Sequence, residues 1–235
     1  MRALQGGLVV AVVLGLAGCS TPAPRAPVTS ATTPAAAATR QVDLQRLDLI
    51  KDSFPTDYPA NAFSGVRKVD ARQAASVGDL ISYGNSVTVE PDSCRALLKP
   101  VRANVGGDWI AVNNSQGPEG PFISVAAYDP AMLPAAIPES GCDRFGFVVE
   151  GATPDGQAEQ PAVPRIDDAT TYALKVEYPV TNPAATKPLL VEYFYVAILD
   201  GRTFVKVWAR VPTEYVAEPA LPDLLTKAVI ALRGK

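Results

Sequence analysis

The chain has 235 residues, a formal net charge of −3 and 48% hydrophobic residues, which is enough apolar material for one sizeable core. Histidine is absent, and this excludes Ser–His and Cys–His nucleophile pairs and histidine metal ligation. The mildly acidic balance argues against a nucleic-acid partner, which would require a basic stripe. Because the sequence also lacks a phosphate-binding loop and a nucleophile motif, we expect no cofactor, no metal site and no enzymatic activity.

Residues 1–18 are predicted to be a signal peptide of the lipoprotein type. Arg2 precedes the apolar run Leu8–Ala17, which is too short to span a hydrocarbon core of about 30 Å. The sequence Leu-Ala-Gly-Cys at 16–19 has the pattern of a lipobox, where diacylglycerol is attached to the cysteine and the chain is cleaved before it. We therefore expect Cys19 to be lipidated and to hold the protein on the extracytoplasmic side of the cell membrane. The alternative is an ordinary signal peptide that is cleaved elsewhere.

Residues 19–41 are predicted to form a disordered tether between this anchor and a single folded domain over 42–235. Eighteen of the 22 residues from 20 to 41 are Pro, Ala, Ser or Thr, without a hydrophobic period. Such a segment cannot bury enough apolar surface to offset its ordering entropy.

Three helices are predicted in the domain. Asp43 can cap the first, which ends before Pro55. Pro91 is suited to the first turn of a short helix that carries Cys94 and ends at Leu98. The last helix begins around 222 and ends near 234. Its apolar stripe has a spacing of 3.6 residues and consists of Leu221, Leu224, Leu225, Ala228, Val229 and Leu232.

Strands are predicted for most of the remaining apolar segments. They cover residues 66–69, 80–89, 109–112, 122–128, 145–149, 171–178, 190–199 and 203–211. Since strands dominate and helices lie near both ends, the predicted fold class is α+β with a twisted, mainly antiparallel sheet.

Cys94 and Cys142 are predicted to form a disulfide bond. They are the two cysteines that remain of three once Cys19 carries lipid, and cysteines of exported domains usually pair. A redox or metal pair is the alternative, although the spacing is far from C-x-x-C. In the chain-entropy model, closing a loop of this length stabilises the fold by about 4 kcal/mol.

Asp200-Gly201 predicts a two-residue hairpin turn, which would place Leu199 opposite Arg202 and Tyr193 opposite Trp208. One face of the hairpin would then be apolar and would face the core, with Phe194, Val196, Ile198, Val205 and Val207. The other face would be aromatic and cationic, and it is the candidate ligand face: Tyr193, Tyr195, Phe204, Lys206, Trp208 and Arg210, together with Arg202 at the turn.

This second face has two interpretations. Ring and cation pairs can simply stabilise a half-exposed sheet. Alternatively, the face lines a cleft for an amphipathic or anionic ligand, with the rings supplying area and Lys206 or Arg210 the counter-charge. A weaker candidate is a carboxylate pair or calcium site formed by acidic residues at 143, 150, 167 and 168.

Four short motifs give the chain a resemblance to uncharacterised lipoproteins of mycobacteria and related actinobacteria. They are IKDSFP at 50–55, EPDSC at 90–94, Gly-Cys at 141–142 and the closing helix over 224–234. More distantly, the domain resembles the extracellular sensor domain of the PknH receptor kinase. That resemblance implies a cleft over a twisted sheet and two disulfides, of which this chain has cysteines for one. The resemblance assigns no ligand-binding residue to this chain.

From these observations we expect a non-enzymatic envelope lipoprotein whose domain binds a small amphiphile or an envelope protein. The alternatives are a carrier of lipid or glycolipid with an apolar cavity, a carboxylate-dependent hydrolase, and a structural or adhesive surface protein.

Overall fold

The computed structural model describes residues 42–82, 84–115, 120–133, 136–151, 155–178 and 190–234. The predicted signal peptide, Cys19 and the tether lie outside these residues. Within them, no helix is both long enough and apolar enough to cross a membrane.

The described residues form one open antiparallel sheet with helices on its faces, which confirms the predicted α+β class. Its strands follow the order β1-β4-β5-β10-β9-β8-β7-β6-β3, and β2 also pairs with β4. The strand bounds are β1 Ala62–Phe63, β2 Arg67–Lys68, β3 Val87–Glu90, β4 Arg102–Ser115, β5 Phe122–Met132, β6 Arg144–Val149, β7 Gly156–Glu159, β8 Ala169–Glu177, β9 Leu190–Leu199 and β10 Thr203–Pro212.

One face of the sheet is covered by a 3₁₀-helix, Leu44–Ser53, and by α3, Ala220–Leu232. The side chain of Asp43 caps the 3₁₀-helix, as predicted, by accepting a hydrogen bond from the backbone of Gln45. Arg46 joins the two helices, because its Nε donates to the carbonyl of Ala231 at 2.8 Å. Together they bury the predicted apolar stripe of α3 against the sheet.

The opposite face carries a second core beneath α2, Arg95–Leu98. Tyr172 of β8 reaches this helix, since its hydroxyl donates to the carbonyl of Leu97 at 3.1 Å. The Cys94–Cys142 disulfide is present, with Cα atoms 5.6 Å apart, and both residues are fully buried. The predicted pairing is therefore confirmed.

The strand predicted over 80–89 is too long, because only Val87–Glu90 is a strand. The cause is Asp79, whose carboxylate accepts hydrogen bonds from the backbone N–H groups of Ile81, Ser82 and Gly84. These bonds hold the chain in a loop and replace the ladder bonds of a strand. A short helix that the sequence did not predict, α1 Ala71–Ser76, precedes this loop.

Candidate functional site

The β9–β10 hairpin has the predicted turn but not the predicted register. Asp200 and Gly201 have φ of 50° and 63°, and the backbone of Arg202 donates to Leu199 at 2.9 Å. The strands nevertheless pair with Thr203 opposite Leu199, so Arg202 is one extra residue. The carbonyl of Arg202 accepts a hydrogen bond from the backbone N–H of Ala131 in β5 at 2.7 Å, so Arg202 bonds to β5 and not to β9 through this group.

Because a shift of one residue turns a strand over, the predicted ligand face is divided between the two faces of the sheet. Tyr193 and Tyr195 lie opposite Ala209 and Val207 and are buried beneath the helices. Phe204, Lys206, Trp208 and Arg210 lie on the other face. Their cross-strand partners there are Ile198, Val196, Phe194 and Glu192. The prediction that all six side chains share one face is therefore wrong, as is the grouping of Phe194, Val196 and Ile198 with Val205 and Val207.

Three of the β10 side chains, Phe204, Lys206 and Trp208, join a surface to which β4 and β5 also contribute, and Arg210 lies beside it. Lys206 lies opposite Ala126 of β5, and Ala126 lies opposite Ala111 of β4. The next row on one side is aromatic, with Trp109, Tyr128 and Phe204. The next row on the other side holds Trp208, Ser124 and Asn113. We call this surface the lysine face and define it by the following residues: Trp109, Ala111, Phe122, Ala126, Tyr128, Phe204, Lys206 and Trp208.

The rings of the lysine face form two groups. On one side of the alanine row, the Tyr128 ring lies 6.2 Å from both the Trp109 and the Phe204 rings. On the other side, Phe122 meets Trp208 edge to face at 4.5 Å. Trp109, Tyr128, Phe122 and Trp208 are only partly buried, so they form a half-exposed rim. Both tryptophans of the chain belong to this surface.

Lys206 lies at the base of this rim and is only 8% exposed. Its Nζ lies 5.4 Å from the centre of the Trp208 ring. Within the part of the chain that the structure describes, it makes no hydrogen bond or ion pair. Burial lowers the pKa of Lys206 to about 8, although the negative charges of Asp79 and Glu192 oppose this shift.

The two nearby carboxylates already have cations of their own. Glu192 is 5% exposed and accepts two hydrogen bonds from Arg210, at 2.9 Å and 2.7 Å. Asp79 lies 3.3 Å from Lys99. Burial would raise the pKa of Asp79, but hydrogen bonds from Ser82 and Gly84 and the charge of Lys99 hold it below its usual value. Lys206 is therefore a buried cation without a carboxylate of its own.

The sequence reasoning missed the β4 and β5 residues of this surface. A signal existed in β5, where Phe122, Ser124, Ala126 and Tyr128 alternate with buried Ile123, Val125 and Ala127. What the sequence could not provide is the neighbour of β10. Only the pairing of β10 with β5 brings this alternation beside Lys206.

The buried tyrosines of the helix-covered face have a different character. The hydroxyls of Tyr195 and Tyr215 have no hydrogen-bond partner within the described residues. Burial raises the pKa of both phenols, that of Tyr215 to about 12. These groups are therefore neutral, and they offer no charge to a ligand.

Two open cavities are lined by residues outside the lysine face. One, of about 570 Å³, lies beside Arg46, Asp108, Asp129 and Arg233. The other, of about 670 Å³, is lined by residues that include Asp79, Arg95 and Lys99. Both are lined in part by charged side chains, so neither is the enclosed apolar chamber that a lipid carrier would need.

The acidic residues singled out by the sequence include Asp167 and Asp168, which lie beside Arg233. The backbone carbonyls of Asp167 and Asp168 accept hydrogen bonds from Arg233, at 2.7 Å and 2.9 Å. Among the residues that the structure describes, no group of three or more acidic or cysteine side chains is placed to hold a metal ion.

Comparisons with known proteins support the fold. The model of a family described as a domain of unknown function, DUF5642, matches residues 43–233. The chain is also similar to the crystal structure of an uncharacterised protein from Mycobacterium smegmatis, the Rv0999 ortholog. The identity is 24% over 83% of this chain and 100% of that chain, with a TM-score of 0.58. At this identity the similarity shows the fold alone. No curated protein matches the sequence.

The predicted resemblance to uncharacterised mycobacterial proteins is thus confirmed at the level of the fold. Its two finer parts, lipoprotein status and the likeness to the PknH sensor domain, stay predictions.

Proposed function

The chain belongs to the DUF5642 family, whose description assigns no activity, and we propose that it is a lipid-anchored, extracytoplasmic lipoprotein whose domain binds a ligand without catalysis. The proposed site is the lysine face. Of the predicted ligand residues, it retains Phe204, Lys206 and Trp208, with Arg210 beside them.

The observation that carries this proposal is the buried, uncompensated charge of Lys206. Removing an ammonium group from water is costly unless it is paired, and an apolar side chain at such a position is often neutral or stabilising. A residue that weakens the fold is typical of functional sites, where local rules are broken in favour of binding. Lys206 therefore indicates a binding site in which a ligand supplies the missing negative charge.

The chemistry of the lysine face favours binding over catalysis. Rings and alanines surround the single ammonium group, and the neighbouring carboxylates Asp79 and Glu192 are already held by other cations. With a pKa of about 8, Lys206 is still mostly charged at pH 7. It can therefore serve as a fixed counter-charge, which is the role that a binding site requires.

The extracytoplasmic location is supported by two features of the chain. The lipobox ends at Cys19, and the Cys94–Cys142 disulfide is typical of proteins in oxidising compartments. In cells that make the protein, the wild type is expected in the membrane fraction. Cys19→Ser is expected in the soluble extracytoplasmic fraction, and a variant that stays in the membrane would contradict the proposed anchor.

Native mass spectrometry of the protein purified from its own membrane tests the binding function. The wild type is expected to carry a bound molecule that Lys206→Met lacks. The matched control is Lys175→Met, because Lys175 lies on the opposite face of the same sheet and already pairs with Glu159 and Glu177. A bound mass that is the same in all three proteins would contradict a role for the lysine face. A co-purifying protein would favour the predicted protein-partner alternative.

A further inference from the structure

We propose that the lysine face takes a singly charged anionic amphiphile, that is, a carboxylate joined to an apolar body. This inference rests on the proposed function and names the class of ligand for the same site. It depends on the local charges and on the shape of the surface around Lys206.

The side-chain charges around Lys206 favour a ligand that carries a single negative charge. Arg210 is neutralised by Glu192, and Lys99 lies beside Asp79, so these two pairs contribute no net charge. Lys206 remains as one unbalanced positive charge at the base of the surface. A carboxylate balances it, whereas a dianionic phosphate would bury a second charge without a partner.

The shape of the surface favours an apolar body. Side chains two residues apart on a strand are separated by about 7 Å, so the row of Ala111, Ala126 and Lys206 has the aromatic row of Trp109, Tyr128 and Phe204 at about that distance on one side. The row at that distance on the other side holds Trp208, Ser124 and Asn113. The alanines end at Cβ, while the rings of Tyr128 and Trp208 extend further. The result is a shallow groove with a narrow methyl floor, because Ala111 and Ala126 are only 6% and 4% exposed. It has one aromatic wall, and Trp208 is followed on the other side by Ser124 and Asn113, so an alkyl chain or a flat ring along the aromatic wall can replace water.

Binding of a carboxylate has a consequence for protons. A negative charge beside Lys206 favours the ammonium form, so near pH 8 the complex takes up protons. Asp79, Tyr128 and Tyr172 do not change charge there. The pKa of Asp79 is lowered, while burial raises the pKa of Tyr128 to about 12 and that of Tyr172 well above its usual value. Glu192, Arg210 and Lys99 remain in their ion pairs.

The experiment compares dodecanoate, dodecanol and dodecyl phosphate, each below its micelle concentration, at pH 8. The protein is the full chain with Cys19→Ser, so that no anchor competes for the site. Emission from Trp109 and Trp208 reports binding, because both rings line the groove. Calorimetry in two buffers of different ionisation enthalpy gives the number of protons taken up.

Dodecanoate is expected to bind most tightly of the three and to bind with proton uptake. In Lys206→Met its affinity is expected to fall by about tenfold or more, the usual effect of losing one hydrogen bond to a charged group. The proton uptake should disappear, and the affinity for dodecanol should stay the same. Lys175→Met should behave like the wild type.

A second variant tests the groove while the charge is kept. Ala126→Leu fills the methyl floor beside Lys206, so it is expected to weaken dodecanoate and dodecanol together. Circular dichroism verifies that this variant is folded.

Three results would overturn the inference: equal affinity for dodecanol and dodecanoate, tighter binding of dodecyl phosphate, or dodecanoate binding that is unchanged in Lys206→Met. Failure of all three probes to bind would overturn the ligand class as well. The proposed function is decided separately, by whether a bound mass that depends on Lys206 co-purifies with the protein.

Discussion

The ammonium of Lys206 lies 5.4 Å from the centre of the Trp208 ring, on the face of the sheet that also carries Trp109. A desolvated contact between a cation and a ring contributes about 2 kcal/mol. Burial of a lone ion costs several kcal/mol. The contact therefore offsets only part of the cost, which agrees with the lowered pKa of Lys206.

Lys206→Met is expected to stabilise the domain by about 1–2 kcal/mol at pH 7, because methionine fills a similar volume without a charge. Lys175→Met, in contrast, loses only partly exposed ion pairs and should destabilise the domain by less than about 1 kcal/mol. Urea unfolding of both variants measures the difference. Marked destabilisation by Lys206→Met would indicate that the ammonium has a structural partner.

The stability of the wild type is expected to depend on pH through Lys206. Its folded-state pKa of about 8 lies below the value of 10.5 that applies to the unfolded chain. Between these pH values the unfolded chain binds more protons, so the free energy of unfolding rises with pH by at most about 1.4 kcal/mol per unit. Over this interval the wild type gains about 3 kcal/mol, which is more than the advantage expected for Lys206→Met at pH 7. The stability difference between Lys206→Met and the wild type should therefore be constant well below pH 8, should shrink as the pH rises, and should change sign before pH 10.5. A difference that does not change with pH would show that the pKa is not lowered.

Arg210→Ala and Arg202→Ala are expected to differ strongly. Arg210 holds buried Glu192, and removing the partner of a buried charge costs about 3 kcal/mol or more. Arg202 holds Asp129 with an exposed guanidinium group, and such a pair contributes about 1 kcal/mol or less. Thermal and urea unfolding compare the two variants. If Glu192 is the cause, the double variant Arg210→Ala, Glu192→Gln should recover part of the loss, and equal effects of the two single variants would refute this account.

Loss of the disulfide is expected to lower the stability by about 4 kcal/mol, because Cys94 and Cys142 are 48 residues apart and the bridge restricts the unfolded chain. The variant is Cys94→Ala, Cys142→Ala, and the measurement is urea unfolding with and without reductant. Reductant should lower the midpoint of the wild type and leave the variant unchanged. A wild type that is insensitive to reductant once unfolded would contradict a stabilising bridge.

Local patterns were sufficient for the parts of the fold that depend on neighbours in the chain. The cap at Asp43, the stripe of α3, the Asp200-Gly201 turn and the exported cysteine pair all follow from short-range chemistry. The register of the hairpin does not, because the carbonyl of Arg202 is held by Ala131 of β5, which is remote in sequence.

The same limit applies to the site. Lys206 and Trp208 were identified as ligand residues, but Tyr193 and Tyr195 were assigned to the wrong face because the predicted register was one residue off. The floor and three of the four rings of the rim come from β4 and β5. The hairpin turn indicates that β9 is one neighbour of β10, but no local pattern indicates that β5 is the other, since strand order depends on long-range packing.

The most direct test of the proposed function is the native mass spectrum of the protein from its own membrane, compared between the wild type and Lys206→Met. The account predicts a bound small molecule on the wild type and its loss from a variant that is folded and at least as stable. A bound mass that persists in Lys206→Met, or a wild type that carries no bound mass, would contradict it.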